Sequence, residues 1–329
     1  MANIPMGRPL IGVLDTSVVS ENYGDFLIMD AANYVIDDVF SEYHKVSFPT
    51  HERVSLKSYK IQKEVSFNIA CGTNLLHSHM GLVKQWNVGL RDLWFFKPVV
   101  LLGVGWRSKK TRQTDLYTKW FLKKILSKDY LHSVRDSYAE EKLREIGINN
   151  VVNTSCPTMW QLDEDHCSKI PTQKGENVVL VLTDYSQNKE YDRRLIEILK
   201  KEYKKIFFWC QGREDYQYIQ TLINLDENID ILDANISTYD KLLSDHSLSL
   251  DYVGTRLHGG IRALQNKRRS IIIGVDHRSL QKKEDFNLPV IDRYESSDKL
   301  QQNILMDFQI SISLPHANIQ SWTKQFKNL

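Results

Sequence analysis

The sequence predicts an α/β protein of two doubly wound domains. Three observations carry this. Strand-like and helix-like segments alternate from one end of the chain to the other. One of them, PVVLLGVG at 98–105, is an unbroken apolar run closed by glycines, as expected of a central parallel strand covered on both faces. The alternation stops once, across the polar, aperiodic stretch QLDEDHCSKIPTQKGEN at 161–177, and then restarts. A chain of 329 residues is too long for one ordinary core, and two domains of roughly 150 residues each fit the length. The expected division is 1–165 and 175–310, with 311–329 a terminal helix free to pack back on the first domain.

LIGVLD at 10–15 reads as the first strand. A helix follows over 26–40, with two apolar ridges at i+4 spacing: Leu27, Ala31, Val35 and Val39, then Ile28, Ala32, Ile36 and Phe40. VSFNIA at 65–70 alternates as a half-buried strand does. HSV at 132–134 is a short strand, and the helix after it, 137–146, takes Asp136 as its N-cap and Gly147 as its stop. In the second half, strands are expected at 178–183, 206–210, 229–233, 248–254 and 270–276, with helices between them and further helices at 297–309 and 316–328.

Composition narrows the function. Forty-three lysines and arginines against 41 acids leave a net charge of +2, which is no footprint for nucleic acid. The basic clusters RSKKTR at 107–112 and NKRRS at 266–270 are short enough to be solvated surface, with a weak attraction to anionic membrane surfaces left open. No apolar run reaches the length of about 18 residues that spans a bilayer. The opening MANIPMGRPLIGVLD lacks the pattern of a secretion signal. Four cysteines with no CxxC pair suit a reducing compartment, so a cytoplasmic location is expected, with the inner face of the membrane as the peripheral option.

Chemistry-bearing residues gather where strands give way to helices. In GTRLHGGIRAL, 254–264, Gly254 would let the chain leave its strand sharply, and Gly259 and Gly260 would keep a helix N-terminus open to an anion. Arg256 and His258 are two residues apart and share a side if the backbone there is extended. One is a permanent, fork-shaped cation; the other exchanges a proton near neutrality. The plainer reading is a tight turn, a surface ion pair and a polar corner. Arg135 and Asp136 stand between a strand and a helix, where Asp136 caps and Arg135 either pairs with an acid or meets a ligand. SENYGDFL places Asn22, Gly24 and Asp25 after the first strand, with Asp25 either a cap or a hydrogen-bond acceptor for a ligand hydroxyl. IACGTNLLHSHM ends another strand with Gly72 and Asn74; the spacing of Cys71, His77 and His79 matches no zinc pattern, and no metal is expected. Asp276, His277 and Arg278 follow the last core strand.

Taken in order, these motifs resemble those of the polysaccharide pyruvyl transferases: NYGD at 22–25, CGTN at 71–74, VRDS at 134–137, TRLHGGIRA at 255–263 and IIIGVDHR at 271–278. The resemblance covers residues from about 11 to about 278. It departs from the family pattern at Asn266 and Arg269, where glycine and proline are usual. It departs again at Arg278, set beside His277, where a lysine is usual.

The resemblance implies a fold similar to the two-domain GT-B glycosyltransferases, two Rossmann-like domains facing a cleft. It implies a transferase that takes phosphoenolpyruvate as donor and places a pyruvate ketal on two hydroxyls of a sugar, oligosaccharide or lipid-linked glycan in bacterial surface polysaccharide synthesis. On that footing Arg135, Arg256 and Arg278, with Gly259 and Gly260, are expected to bind phosphoenolpyruvate. Asn22, Asp25, Gly72 and Asn74 are expected on the acceptor side, and His258 as general acid or base beside Arg256 and Arg135. No cofactor or metal is required, because the guanidinium groups supply the positive charge. Two readings compete: a GT-B glycosyltransferase with a nucleotide-sugar donor, for which Glu214 or Asp215 would hold ribose, and a non-catalytic carbohydrate-binding protein.

Overall fold

The computed structural model describes residues 8–107, 113–223 and 229–327. The first run of elements is β1 (Leu10–Asp15), α1 (Tyr23–Val39), β2 (His44–Pro49), α2 (Leu56–Gln62), β3 (Asn68–Cys71), β4 (Val99–Leu102), α3 (Leu116–Ile125), β5 (His132–Val134), α4 (Ser137–Glu145) and β6 (Val151–Asn153). There follow α5 (Glu164–Ser168), β7 (Asn177–Val181), α6 (Lys189–Glu202), β8 (Lys205–Trp209), α7 (Asp215–Gln220), β9 (Ile229–Leu232) and α8 (Ile236–Ser244). The last are β10 (Leu250–Gly254), α9 (Leu257–Gln265), β11 (Ser270–Gly274), α10 (His277–Phe286), β12 (Val290–Asp292), α11 (Ser297–Leu305) and α12 (His316–Lys324).

The chain forms two units. Unit 1 takes the chain up to Ser20, Ile28–Pro157 and the segment from Pro315 onward; unit 2 takes Glu21–Leu27 and Thr158–Leu314. The stretch 161–177, expected as a linker, lies inside unit 2 and carries α5, whose N-cap Asp163 accepts from the His166 N–H. Its cysteine and isoleucine, Cys167 and Ile170, are buried in the unit 2 core. That is why a segment without periodicity is nonetheless fixed.

In unit 1 the sheet order is β2-β1-β3-β4, all parallel, and the parallel pair β5-β6 joins it through a bridge between Val104 and Val134. This is the doubly wound order 2-1-3-4-5, with its switch point between β1 and β3. Strands β2, β6 and β12 were not anticipated. β2 shows why: HKVSFP is an edge strand, exposed at His44, Lys45 and Ser47, and lacks the apolar run of a central strand. α12 belongs to this unit: Trp322 is buried and its Nε1 donates to the Leu101 carbonyl at 3.1 Å. It ends at Lys324, short of the expected 328, which lies outside the described residues.

In unit 2 the order is β12-β11-β10-β7-β8-β9, parallel throughout. Counted from β7 this is the six-strand Rossmann order, with its switch point between β7 and β10. β7, β8, β10 and β11 are buried along nearly their whole length and are mostly apolar, as strands covered on both faces are. The cluster at 266–270 is not solvated as expected: Arg268 and Arg269 are buried. Arg268 donates to the carbonyls of Leu243, Leu248 and Asp245, and Arg269 to Asp251 and the carbonyls of Ile304 and Met306. Carbonyls at helix and loop ends lack intrahelical donors, and a five-donor guanidinium satisfies several at once. Of the other cluster, 107–112, Arg107 is described and donates to Gln85 Oε1; the rest lies outside the described residues. Among the described residues no helix is long and apolar enough to cross a membrane.

Candidate functional site

The C-terminal ends of β7 and β10 carry a dense polar cluster of unit 2. Past β7, the Thr183 N–H donates to Thr255 Oγ1 at 2.8 Å, and Thr255 N–H returns to Val181 O. The two strand ends are thereby locked side by side at the switch point. Gly254 serves this approach rather than a sharp exit: a Cβ there would strike the Val181 backbone and the Tyr252 hydroxyl.

Arg256 is the residue that caps α9, with φ −90° and ψ 109°, and His258 is already in the first helical turn. They are not an extended pair; the helix starts between them. Arg256 is buried and its guanidinium is forked onto Asp215, Nε to Oδ2 at 3.2 Å and a closer Nη2 contact to Oδ1. Its Nη2 also reaches Asp184 Oδ1 at 2.8 Å. Asp215 is fully buried and accepts the N–H groups of Gln211, Gly212 and Asp184 as well. Burial pushes its carboxyl up, and the Arg256 charge with the Gly212 N–H pulls against that. An acid so committed orients Arg256 and has no lone pairs left for a ribose, as the nucleotide-sugar reading would require. Glu214 is exposed.

Arg278 meets Arg256 across one ring. The Arg256 guanidinium lies 5.1 Å from the Tyr185 ring centre and that of Arg278 lies 5.4 Å from it. Arg278 Nε donates to Asp276 Oδ2 at 2.7 Å, and Asp276 caps α10 through the Arg278 and Ser279 N–H groups. Burial alone would raise the Asp276 carboxyl; the Arg278 charge and the Ser279 N–H outweigh it and hold it down at about 2. Two expected donor-binding arginines therefore share one cluster in unit 2. Asp184 and Tyr185, its other members, were missed. The signal was available: TDY follows the apolar run VVLVLT as the arginine motif follows its own strand.

Gly259 and Gly260 are buried in the first turn of α9. A Cβ at 260 would meet Ile272 and Tyr252; one at 259 would meet Gln211 Oε1 at 3.1 Å. Their absent side chains let α9 lie close on β10 and β11. His258 is buried in the same turn, ahead of both glycines.

Asn22 and Asp25 fall in unit 2, not in the first domain as expected. Asn22 caps α1, accepting from the Gly24 N–H at 3.0 Å and from Gln211 Nε2 at 3.0 Å, while Tyr23 N–H donates to Gln211 O. Asp25 sits in the first turn, half-buried. Gln211, which ties this motif to the arginine motif through Gly212 and Asp215, went unrecognised because nothing in a lone glutamine marks it.

Unit 1 holds the remaining candidates. Gly72 takes φ +56° at the end of β3, beside Ile28, and Asn74 follows at the switch point. Asn74 Oδ1 accepts from Arg135 Nη2. Arg135 is buried, with Nε 3.4 Å from Asp136 Oδ2, and Gly105 lies against its guanidinium where any Cβ would collide. Asp136 caps α4 through the Ala139 N–H, as expected. An acceptor-side candidate and a donor-side candidate are thus hydrogen-bonded to each other. His79 Nδ1 is 2.9 Å from Asp115 Oδ2, and His77 Nδ1 accepts the His79 N–H, so both rings are engaged in the loop.

Two solved structures share the fold over nearly the whole chain. Both are UDP-GlcNAc 2-epimerase from Methanocaldococcus jannaschii. One, in complex with UDP-GlcNAc and UDP, has a TM-score of 0.54 at 11% identity, covering 97% of this chain and 99% of that one. The other has a TM-score of 0.55 at 13% identity and the same coverage. These likenesses show the fold: parallel-sheet α/β in two Rossmann-like units, GT-B-like. No curated protein matches the chain in sequence. A family model, that of polysaccharide pyruvyl transferase, matches residues 22–277, well over half of the chain. Its span runs from the Asn22 cap, past the Arg135 and Arg256 motifs, to His277: this chain belongs to the polysaccharide pyruvyl transferase family and is a transferase acting on polysaccharide.

Proposed function

We propose that the protein moves pyruvate from phosphoenolpyruvate onto two hydroxyls of a sugar as a ketal, in the synthesis of a bacterial surface polysaccharide. The observation that carries this reading is the pair Arg256 and Arg278, set on one Tyr185 ring at the switch point of unit 2. Phosphoenolpyruvate is a phosphate and a carboxylate on three carbons, and forked cations recognise both groups. Asp215 fixes the plane of Arg256; Asp276 fixes Arg278. Arg135 keeps the donor-binding role that the resemblance of VRDS at 134–137 implies. Asn22, Asp25, Gly72 and Asn74 keep the acceptor role.

The chemistry needs one proton delivered and two removed. Protonation of the donor's methylene makes it a methyl group and leaves the adjacent carbon electrophilic. A sugar hydroxyl adds there and gives up its proton. Phosphate departs with its bonding pair, and the second hydroxyl closes the ketal with loss of its own proton. His258, buried and two residues past Arg256, is the group assigned to this proton traffic. The products balance as ketal plus inorganic phosphate.

Incubation with phosphoenolpyruvate and lipid-linked or free glycans, read by mass spectrometry for an added pyruvyl unit, tests the reading. His258→Ala is expected to lose about a hundredfold or more in turnover with unchanged circular dichroism. Wild-type turnover in that variant removes His258 from the mechanism. Absence of a pyruvyl adduct with every glycan, beside thermal stabilisation by nucleotide diphosphates, transfers the protein to the glycosyltransferase reading.

A further inference from the structure

Three connections at the C-terminal edge of the unit 1 sheet enclose a cavity of about 350 Å³ lined by Arg53, Tyr59, Lys84, Leu90, Arg91 and Tyr117, among others. They are the segment after β2, the long loop between β3 and β4, and the start of α3. Contacts hold them together. Asn87 N–H donates to Thr50 O, Met80 N–H to Thr118 Oγ1, and the Arg91 guanidinium covers the Tyr59 ring at 4.9 Å. The same three segments expose unusually large apolar side chains, of which Leu90 lines the cavity itself. Leu82, Trp94 and Leu116 are 85%, 84% and 82% exposed, more than any other large hydrophobic residue described, and Leu56, Leu90 and Trp120 are exposed on the same segments. Large apolar side chains left this exposed on three connections held together by hydrogen bonds point to an interaction surface.

Charge selects the occupant. Segments 51–60, 80–97 and 113–124 carry nine lysines and arginines against three acids, a net +6 where the whole chain has +2. Two of those acids are already engaged: Asp92 accepts from Tyr59 and the Gly89 N–H, and Asp115 caps α3 and meets His79. Arg53, Lys84 and Arg91 are exposed at the rim. Tryptophan and leucine mixed with exposed lysine and arginine is the composition of a face that lies in a headgroup layer: indole and aliphatic groups enter the acyl boundary while cations meet phosphates. A second protein would need complementary acids and would leave a cationic rim desolvated.

We propose that this face of unit 1 docks on an anionic phospholipid bilayer, with Leu82, Leu90, Trp94 and Leu116 inserted and Arg53, Lys84 and Arg91 on lipid phosphates. The inference stands apart from the donor assignment and survives its failure. Flotation of the full chain with phosphatidylglycerol vesicles, against phosphatidylcholine vesicles, tests it. Binding is expected to the anionic vesicles and to weaken in high salt. The double variant Trp94→Ser, Leu116→Ser is expected to partition at least about tenfold more weakly, at unchanged circular dichroism. Arg53→Gln, Lys84→Gln is expected to lose the preference for anionic lipid. No flotation, or flotation untouched by both pairs, overturns the proposal. So does a concentration-dependent dimer in sedimentation that Trp94→Ser abolishes, since a second copy would then own the surface.

Discussion

Asp184 decides how much of Arg256's charge is offered to a ligand. The guanidinium serves two carboxylates, but they differ. Asp215 is fully buried and accepts three N–H groups, whereas Asp184 is half-buried and contributes one contact at 2.8 Å. Under the proposed reaction the anionic donor competes with Asp184, not with Asp215. Asp184→Asn is therefore expected to lower the KM for phosphoenolpyruvate several-fold, up to about tenfold, with a smaller change in kcat. Steady-state kinetics measure the split, and a raised KM would instead make Asp184 a substrate contact. Arginine and histidine were visible in the sequence because their chemistry is rare at strand ends. Asp184 and Gln211 were not, because their part depends on partners distant in sequence: Arg256 for one, Asn22 for the other.

At the level of the element, β5 carries a titration. His132 is wholly buried; its Nδ1 accepts from Leu101 N–H at 3.3 Å and its Nε2 faces Ser127 O at 2.9 Å. One nitrogen needs a lone pair and the other a proton, so the neutral ring fits and the charged ring does not. Burial pushes its pKa down to about 4, against the pull of the Ser127 carbonyl. Because the folded value lies below the unfolded one, stability from this group is complete above about pH 6.5. It drains away as pH falls toward 4 and is constant below that. The loss is about 2 kcal/mol at pH 5. Urea denaturation at pH 7 and pH 5 is expected to show it, and His132→Asn is expected to flatten the difference; an equal slope in the variant would assign it elsewhere. HSV reads as a strand in the sequence, yet nothing in three residues says that its histidine is sealed in. The neighbouring carbonyl and N–H that set its tautomer come from two other segments.

For the molecule as a whole, the closing segment is structural. α12 returns to unit 1, where Trp322 is buried and the Phe326 ring stacks on Phe67, 5.8 Å between centres and 8° between planes, and packs on Phe40 at 4.8 Å. Trp322→Ala is expected to cost about 3–5 kcal/mol. Hydrogen exchange should report it as lost protection in β3 and β4 at constant protection in β7 and β10. Loss spread equally over both sheets would show that the two units unfold as one.

The sequence by itself determined the class of the fold and most of its central strands, because a parallel strand covered on both faces is largely apolar; the edge strands β2, β6 and β12 carry no such run, and the order of strands in each sheet came from the structure. The sequence also placed the arginine motifs at the ends of such strands, where ligands gather in sheets of this kind. Tertiary structure alone decided the rest. It put Asn22 and Asp25 in unit 2, made α5 part of a core, buried Arg268 and Arg269, and packed Gly259 and Gly260 closely against their neighbours. The physical reason is the same in each case. Periodicity reports which face of a segment is apolar, but a polar group's role is set by the donor or acceptor that the fold brings to it from elsewhere in the chain.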